Sequence, residues 1–323
     1  SRSTASFVLA GRHVDMRISE DARQRVLRAA QELDYRPNLM ARSLRTKVTR
    51  TIALVSDTLA SDPYAGRAIQ GSLAAAVAHG HLLFIGETEG NPVIEEKLIS
   101  DFLDRQVDAF VYASMFTRYV RVPKQLKGRP VVLLNCLTRG ARPAHHQVVP
   151  DESAAGSAAA DALLGAGHRH HIHLVGTPAP NVFAARERLS GIRAALAEEG
   201  AKLAGVVECD WWPDSAYDAV SRALDDGLAA SALICLNDRI ALGAYQALRD
   251  AGRSVPGDVS VVSFDDSELA AWLRPQLTSI ALPHYELGWQ AVEKLLGPPS
   301  DPAVTRLPMP VRARASVGRP PGE

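Results

Sequence analysis

From residue 51 onward the chain alternates short apolar, β-branched runs with longer stretches of helical spacing. The runs at 51–55, 81–85, 109–112 and 131–134 lack regular polar alternation, the pattern of strands buried on both faces. Between them, 64–78 and 92–103 carry apolar residues at helical intervals. This strand–helix rhythm predicts a doubly wound parallel sheet over about 51–150. It then restarts, with helices predicted at 153–165, 183–199, 214–228 and 238–251 and strands at 171–175, 205–208, 232–235 and 259–262. The fold class that follows is α/β, two doubly wound lobes in succession.

A different pattern precedes the lobes. Residues 20–33 predict a helix with Ser19 as N-cap, Glu20 and Asp21 in the first turn, and an apolar stripe through Val26, Leu27, Ala30 and Leu33. Pro37 stops it, and 38–45 could add one short helix, marginal alone in water. A small helical head thus leads into the lobes.

The composition agrees with this layout: 323 residues, 46% hydrophobic and 22% charged, allow two domains with sizeable cores. No apolar run approaches the roughly 18 residues of a membrane helix. Cys136, Cys209 and Cys235 are odd in number, far apart and without metal-ligand spacing, and read as reduced cytosolic thiols. The first residues lack the charged, apolar and small-residue sections of an export signal, so a cytoplasmic protein is expected. Zero net charge hides an asymmetry: residues 1–50 hold 11 Lys and Arg against 5 Asp and Glu, the remainder 25 against 31. A basic head on an acidic body suits a protein that meets phosphates at one end only.

Catalytic and metal chemistry find little support. The run at 168–173 holds four histidines, and strand alternation would set His171 and His173 on one face. No Cys, Asp or Glu stands beside them at ligand spacing, so no metal is expected. Gly165-Ala166-Gly167 ends a predicted helix, the reverse of the order that cradles a pyrophosphate. A nucleophile elbow, a P-loop lysine and a zincin motif are absent from the sequence, and neither enzyme nor cofactor is expected.

Several strings fall in one register: Asp34-Tyr-Arg-Pro-Asn38, Ala41-Arg-Ser-Leu-Arg-Thr46, Gly167-His-Arg169, Arg186-Glu-Arg-Leu-Ser-Gly191, Leu236-Asn-Asp238, Val255-Pro-Gly-Asp-Val-Ser-Val-Val262 and Phe264-Asp-Asp266. In order and spacing they resemble the LacI family of transcriptional regulators over essentially the whole chain. The resemblance implies a partial helix-turn-helix head at 1–35 and a hinge helix and linker at 36–50. The lobes become periplasmic-binding-protein-like: the first from 51–150 plus about 281–303, the second from 151–280 plus about 304–318.

In the head, the family's recognition helix matches residues 1–9. Arg2, Ser3 and Phe7 would face bases in the major groove, with Thr4 and Ser6 near phosphates. Phe7 stands where the family commonly has a basic residue and could touch a thymine methyl instead. The family's preceding helix has no counterpart in the sequence, which leaves the motif incomplete as it stands. In the hinge, Leu44 matches the family's minor-groove wedge, flanked by Arg42 and Arg45 toward phosphates.

Between the lobes the resemblance implies an effector cleft at strand ends. Carried over by position, its candidates are Asp62, Tyr64, Asn135, Arg188, Trp211, Asn237 and Asp265. An indole face plus polar forks suits a pyranose or a nucleoside, with a sugar the first choice. Asp62 and Asn135 depart from the family's usual Asn and Asp. Asn237 and Asp265 could instead cap helices, Trp211 could be core, and Arg188 could pair with Glu187 or a neighbour. The expected function is a homodimeric repressor of operator DNA with a small-molecule effector and no membrane partner; the alternative is a cytosolic solute sensor that does not bind DNA.

Overall fold

A computed structural model describes residues 1–9, 11–35, 46, 48–60, 66–179 and 182–321. They fall into two compact units, Ser1–Thr49 and Arg50–Glu323.

In the first unit, helix α1 (Arg2–Leu9) is followed by a turn in which Gly11 takes a left-handed conformation, φ 73°. Helix α2 (Glu20–Glu32) starts at Ser19, whose hydroxyl accepts from the Ala22 amide at 3.3 Å. Arg23 and Gln24 then both donate to Glu20, at 2.6 and 2.8 Å. The expected apolar stripe of α2 is only half used. Val26 and Ala30 are half-buried, whereas Leu27 and Leu33 are exposed, because α1 is the one helix of this unit that packs on α2 among the described residues.

The second unit carries two six-stranded sheets. In chain order the strands are β1 (Thr51–Ser56), β2 (Leu82–Glu87), β3 (Ala109–Tyr119), β4 (Val131–Leu137) and β5 (His146–Pro150). Then follow β6 (Ile172–Val175), β7 (Leu203–Val207), β8 (Ala232–Cys235), β9 (Ser260–Asp265), β10 (Thr278–Ala281), β11 (Val304–Leu307) and β12 (Val311–Arg312). The first sheet runs β11-β5-β4-β3-β1-β2 and is wholly parallel. The second runs β12-β10-β9-β8-β6-β7, with only β12 antiparallel. Strand order reverses beside β1 in one sheet and beside β6 in the other, so each sheet opens a crevice at the carboxyl ends of its central strands.

The first lobe is covered by α3 (Gly66–Ala78), α4 (Pro92–Asp104) and, returning late in the chain, α10 (His284–Leu296); the second by α5 (Glu152–Gly165), α6 (Phe183–Glu198), α7 (Pro213–Asp225), α8 (Asp238–Asp250) and the short α9 (Glu268–Trp272). Strand β11 pairs with β5, which corrects the expectation that 304 onward belongs to the second lobe: the chain crosses back between β11 and β12. β3 outruns its apolar stretch at 109–112 because Ser114 to Thr117 bulge outward before Arg118 and Tyr119 pair again with Cys136 and Leu137. All three cysteines are buried and free. No helix among the described residues is long and apolar enough to cross a membrane.

Candidate functional site

The head presents its candidates on α1. Arg2, Ser3 and Ser6 are exposed, whereas Thr4 and Phe7 are half-buried. The Ser1 hydroxyl accepts from the Thr4 amide at 3.2 Å and lies 3.0 Å from the Thr4 hydroxyl, so Thr4 is engaged in capping its own helix. Arg12 stacks over the Phe7 ring, 5.6 Å from its centroid, and brings a cation to the position where the side chain itself has none. The hinge candidates Arg42, Leu44 and Arg45, and the cleft candidates Asp62 and Tyr64, lie outside the described residues.

In the second lobe two candidates, Trp211 and Asp265, lie around the guanidinium of a third, Arg188, and a fourth, Asn237, reaches Trp211. Helices α5 and α6 cross so closely that a Cβ on Gly156 would stand 2.1 Å from the Arg188 carbonyl oxygen, and one on Gly191 1.9 Å from that of Ser153. This approach sets Arg188, on α6, against Glu152, in the first turn of α5 after the Asp151 cap. Arg188 Nε donates to Glu152 Oε2 at 2.6 Å and Nη2 to Oε1 at 3.3 Å. Nη1 donates to the Leu236 carbonyl at 2.6 Å, and Nη2 lies 3.7 Å from Asp265. The guanidinium stacks on Phe264 at 4.4 Å and reaches to 6.0 Å from the Trp211 ring. Burial alone would lower the guanidinium, but Glu152 and Asp265 outweigh it and hold it above its ordinary value. Glu187, the neighbour considered for Arg188, pairs with Arg186 at 3.1 Å instead.

Trp211 is half-buried against the second lobe's core and donates from Nε1 to the Thr177 carbonyl at 3.3 Å. Asn237 caps α8 by accepting from the Ile240 amide at 2.7 Å, and its amide nitrogen reaches the Trp211 carbonyl at 3.5 Å. It braces the indole segment. Asp265 ends β9 in a strained conformation, φ 104°, with 29% of its side chain exposed. Burial pushes its carboxyl up to about 8 against the pull of Arg188, with Asp238 and Glu152 adding to the rise. Asp238, buried behind it, accepts from Ser263, Ser267 and Ser279, yet burial still raises it.

In the first lobe Asn135 has φ 57° and staples the β3 bulge: its Oδ1 accepts from Thr117 and its Nδ2 donates to the Met115 carbonyl, both at 3.0 Å. Asp57, directly after β1, accepts from Ser114 at 2.6 Å and the Met115 amide at 2.8 Å and pairs with Arg118 at 3.0 Å. Sequence reasoning passed over Asp57, Arg118, Glu152 and Asp238. The signal for two of them was present, since Asp57 follows a strand end and Asp238 follows Asn237.

Between the lobes lies a cavity of about 670 Å³ lined by Arg118, Tyr119, Thr138, Arg139, Gly140, Phe183 and Arg186. None of these is a sequence candidate, although Arg186 sits two positions before Arg188. Within the histidine run His168 is fully buried, with Nδ1 3.0 Å from the Ser231 hydroxyl and Nε2 3.0 Å from the Gly318 carbonyl, whereas His170 and His171 are exposed. His173 Nε2 lies 3.1 Å from the Ala229 carbonyl. No group of three or more His, Cys, Asp or Glu that could hold a metal occurs among the described residues.

Residues 160–317 match the periplasmic binding protein-like domain model. The chain is 31% identical over 305 residues to the HTH-type transcriptional regulator AscG of Escherichia coli, covering 92% of this chain and 88% of AscG. It is similar in structure to the transcriptional regulator CelR in complex with cellobiose (TM-score 0.67, 28% identity, 98% of this chain and 96% of CelR). It is also similar to a sugar-binding LacI-family regulator from Escherichia coli solved with phosphate (TM-score 0.69, 28% identity, 84% of this chain and all of that one).

Proposed function

The chain belongs to the LacI family of transcriptional regulators, and from that premise we propose that it is a repressor whose hold on an operator is set by a carbohydrate bound between its lobes. The observation that carries this reading is the Arg188 cluster: a guanidinium fixed by Glu152 and the Leu236 carbonyl, beside an aromatic face and a strained, part-exposed Asp265. Buried charges so fully tied down are pre-organised, and a sugar hydroxyl between Arg188 and Asp265 would meet both a donor and an acceptor.

DNA binding would fall to the head. Arg2, Ser3 and Ser6 form an exposed face on α1 suited to base edges and phosphates, and Arg12 over Phe7 supplies charge where the ring meets the groove. Leu44 would wedge into the minor groove, with Arg42 and Arg45 beside it. Two chains would act together on a near-palindromic site. An apolar face on the first lobe supports this dimer: Leu73 and Val77 of α3, Leu82 and Phe84 of the edge strand β2, and Val93 of α4 are all exposed.

Linkage supplies the mechanism. A ligand that touches both lobes favours one lobe orientation and so alters the spacing of the two hinges. Its effect on operator affinity can be no larger than its preference for that orientation. The chain acts as a regulator rather than an enzyme, in the cytoplasm where operators are. Gel retardation with the DNA upstream of its own gene, with and without a panel of sugars, tests this reading; no retardation under any condition contradicts it.

A further inference from the structure

The cavity between the lobes is lined by positive charge that a neutral sugar does not need. Arg139 stacks on Tyr119 at 5.3 Å, Tyr119 meets Phe183 edge to face at 6.2 Å, and Arg186 stacks on Phe183 at 5.2 Å. This cation–ring–ring–cation stack crosses from the first lobe to the second. Arg118 joins it on the cavity wall. Asp57 offsets Arg118 at 3.0 Å and Glu187 offsets Arg186 at 3.1 Å, whereas Arg139 faces no carboxylate within ion-pair distance among the described residues. The wall therefore keeps a net positive charge. Stacking occupies the faces of Arg139 and Arg186; Arg186 gives Nε and one Nη2 proton to Glu187, which leaves its Nη1 group and the in-plane N–H donors of Arg139 for a ligand. Thr138 Oγ1 already accepts from Gln147 at 2.8 Å, so its own proton remains to be donated. The start of α6 at Phe183 adds the positive end of a helix dipole.

We propose that the molecule held between the lobes carries an oxyanion, a phosphate ester or a carboxylate, seated among Arg118, Arg139 and Arg186. The inference rests on the reading that an effector binds between the lobes, and it names the effector's charge. Since the donors come from both lobes, the anion ties them together, and guanidinium groups that repel one another across the cleft become a clamp once it is occupied.

The test begins with inorganic phosphate on the full chain, followed by thermal shift against chloride at equal ionic strength. Wild type should be stabilised by phosphate. An Arg139→Ala, Arg186→Ala double variant should need at least tenfold more phosphate for the same shift, and Arg139→Lys with Arg186→Lys should fall between them, which separates lost charge from lost folding. Equal responses in all three mean an adventitious ion only and overturn the proposal. Glucose, glucose 6-phosphate and glucuronate then identify the source of the anion: a gain for the phosphate ester or for the uronate over glucose supports it, and no gain for either overturns it. If phosphate distinguishes the variants while no anionic probe changes operator affinity, the anion site stands and the regulatory reading fails. If glucose alone controls operator affinity and the variants respond as wild type does, the regulatory reading stands and the anion site fails.

Discussion

Arg188 and Glu152 meet where two helices touch backbone to backbone, their side chains 2% and 3% exposed and Nε 2.6 Å from Oε2. A buried pair of this kind is a weak source of stability but a firm fixture, because removing either partner strands a charge in a low-dielectric site. Glu152→Ala should therefore cost about 3–5 kcal/mol in urea unfolding. Glu152→Leu combined with Arg188→Met should recover most of that stability while abolishing carbohydrate binding. A double variant that still bound carbohydrate would remove the pair from the site.

Gly156→Ala discriminates between helix propensity and close approach. Propensity alone would make alanine better by about 1 kcal/mol inside a helix. The new Cβ, however, would stand 2.1 Å from the Arg188 carbonyl oxygen, so the helices must part. A net loss of about 1–3 kcal/mol is expected, as for other overpacked cores, with a lowered melting temperature as the readout. A raised melting temperature would show that the crossing is looser than described.

Asp265 makes stability depend on pH. With its carboxyl pushed up to about 8, the folded chain holds a proton that the unfolded chain has released above roughly pH 4. Stability from this residue is thus greatest below that value and declines as pH rises toward 8, levelling off above. Urea titrations between pH 5 and 9 should show this decline in wild type and a shallower one in Asp265→Asn. Parallel profiles would mean that Asp265 titrates in its ordinary range.

In the hinge, Leu44→Ala should weaken specific operator binding by about tenfold or more, roughly 1.4 kcal/mol, and leave non-specific binding nearly unchanged. Anisotropy titrations at several salt concentrations separate the two, since phosphate contacts carry the salt dependence. Equal losses on both DNAs would remove the wedge from the mechanism.

The two lobes were legible because fully buried strands such as β1 and β8 read as unbroken apolar runs, and the helices between them show their period. Strands β5, β10, β11 and β12 were not, since Gln147, Thr278, Ser279 and Arg306 interrupt any apolar signal and pairing depends on distant partners. The candidate site was half legible. Arg188 and Asp265 stood out by their neighbouring motifs, but Glu152, their counter-charge, comes from 36 residues away through a helix crossing made possible by Gly156 and Gly191. Asn135 was singled out as a ligand group, whereas its amide is already engaged in holding the β3 bulge. The arginines of the cavity wall stayed hidden because stacking on Tyr119 and Phe183 is a tertiary relation with no spacing signature.

The most direct test of ligand-controlled operator binding is reciprocity, measured by titrating one carbohydrate by calorimetry into the free chain and into the chain saturated with operator DNA. Linkage demands that the ratio of the two carbohydrate dissociation constants equal the ratio of operator dissociation constants without and with carbohydrate. A shared factor of tenfold or more is the expected result. Carbohydrate that binds with the same affinity whether or not operator is present would contradict the account.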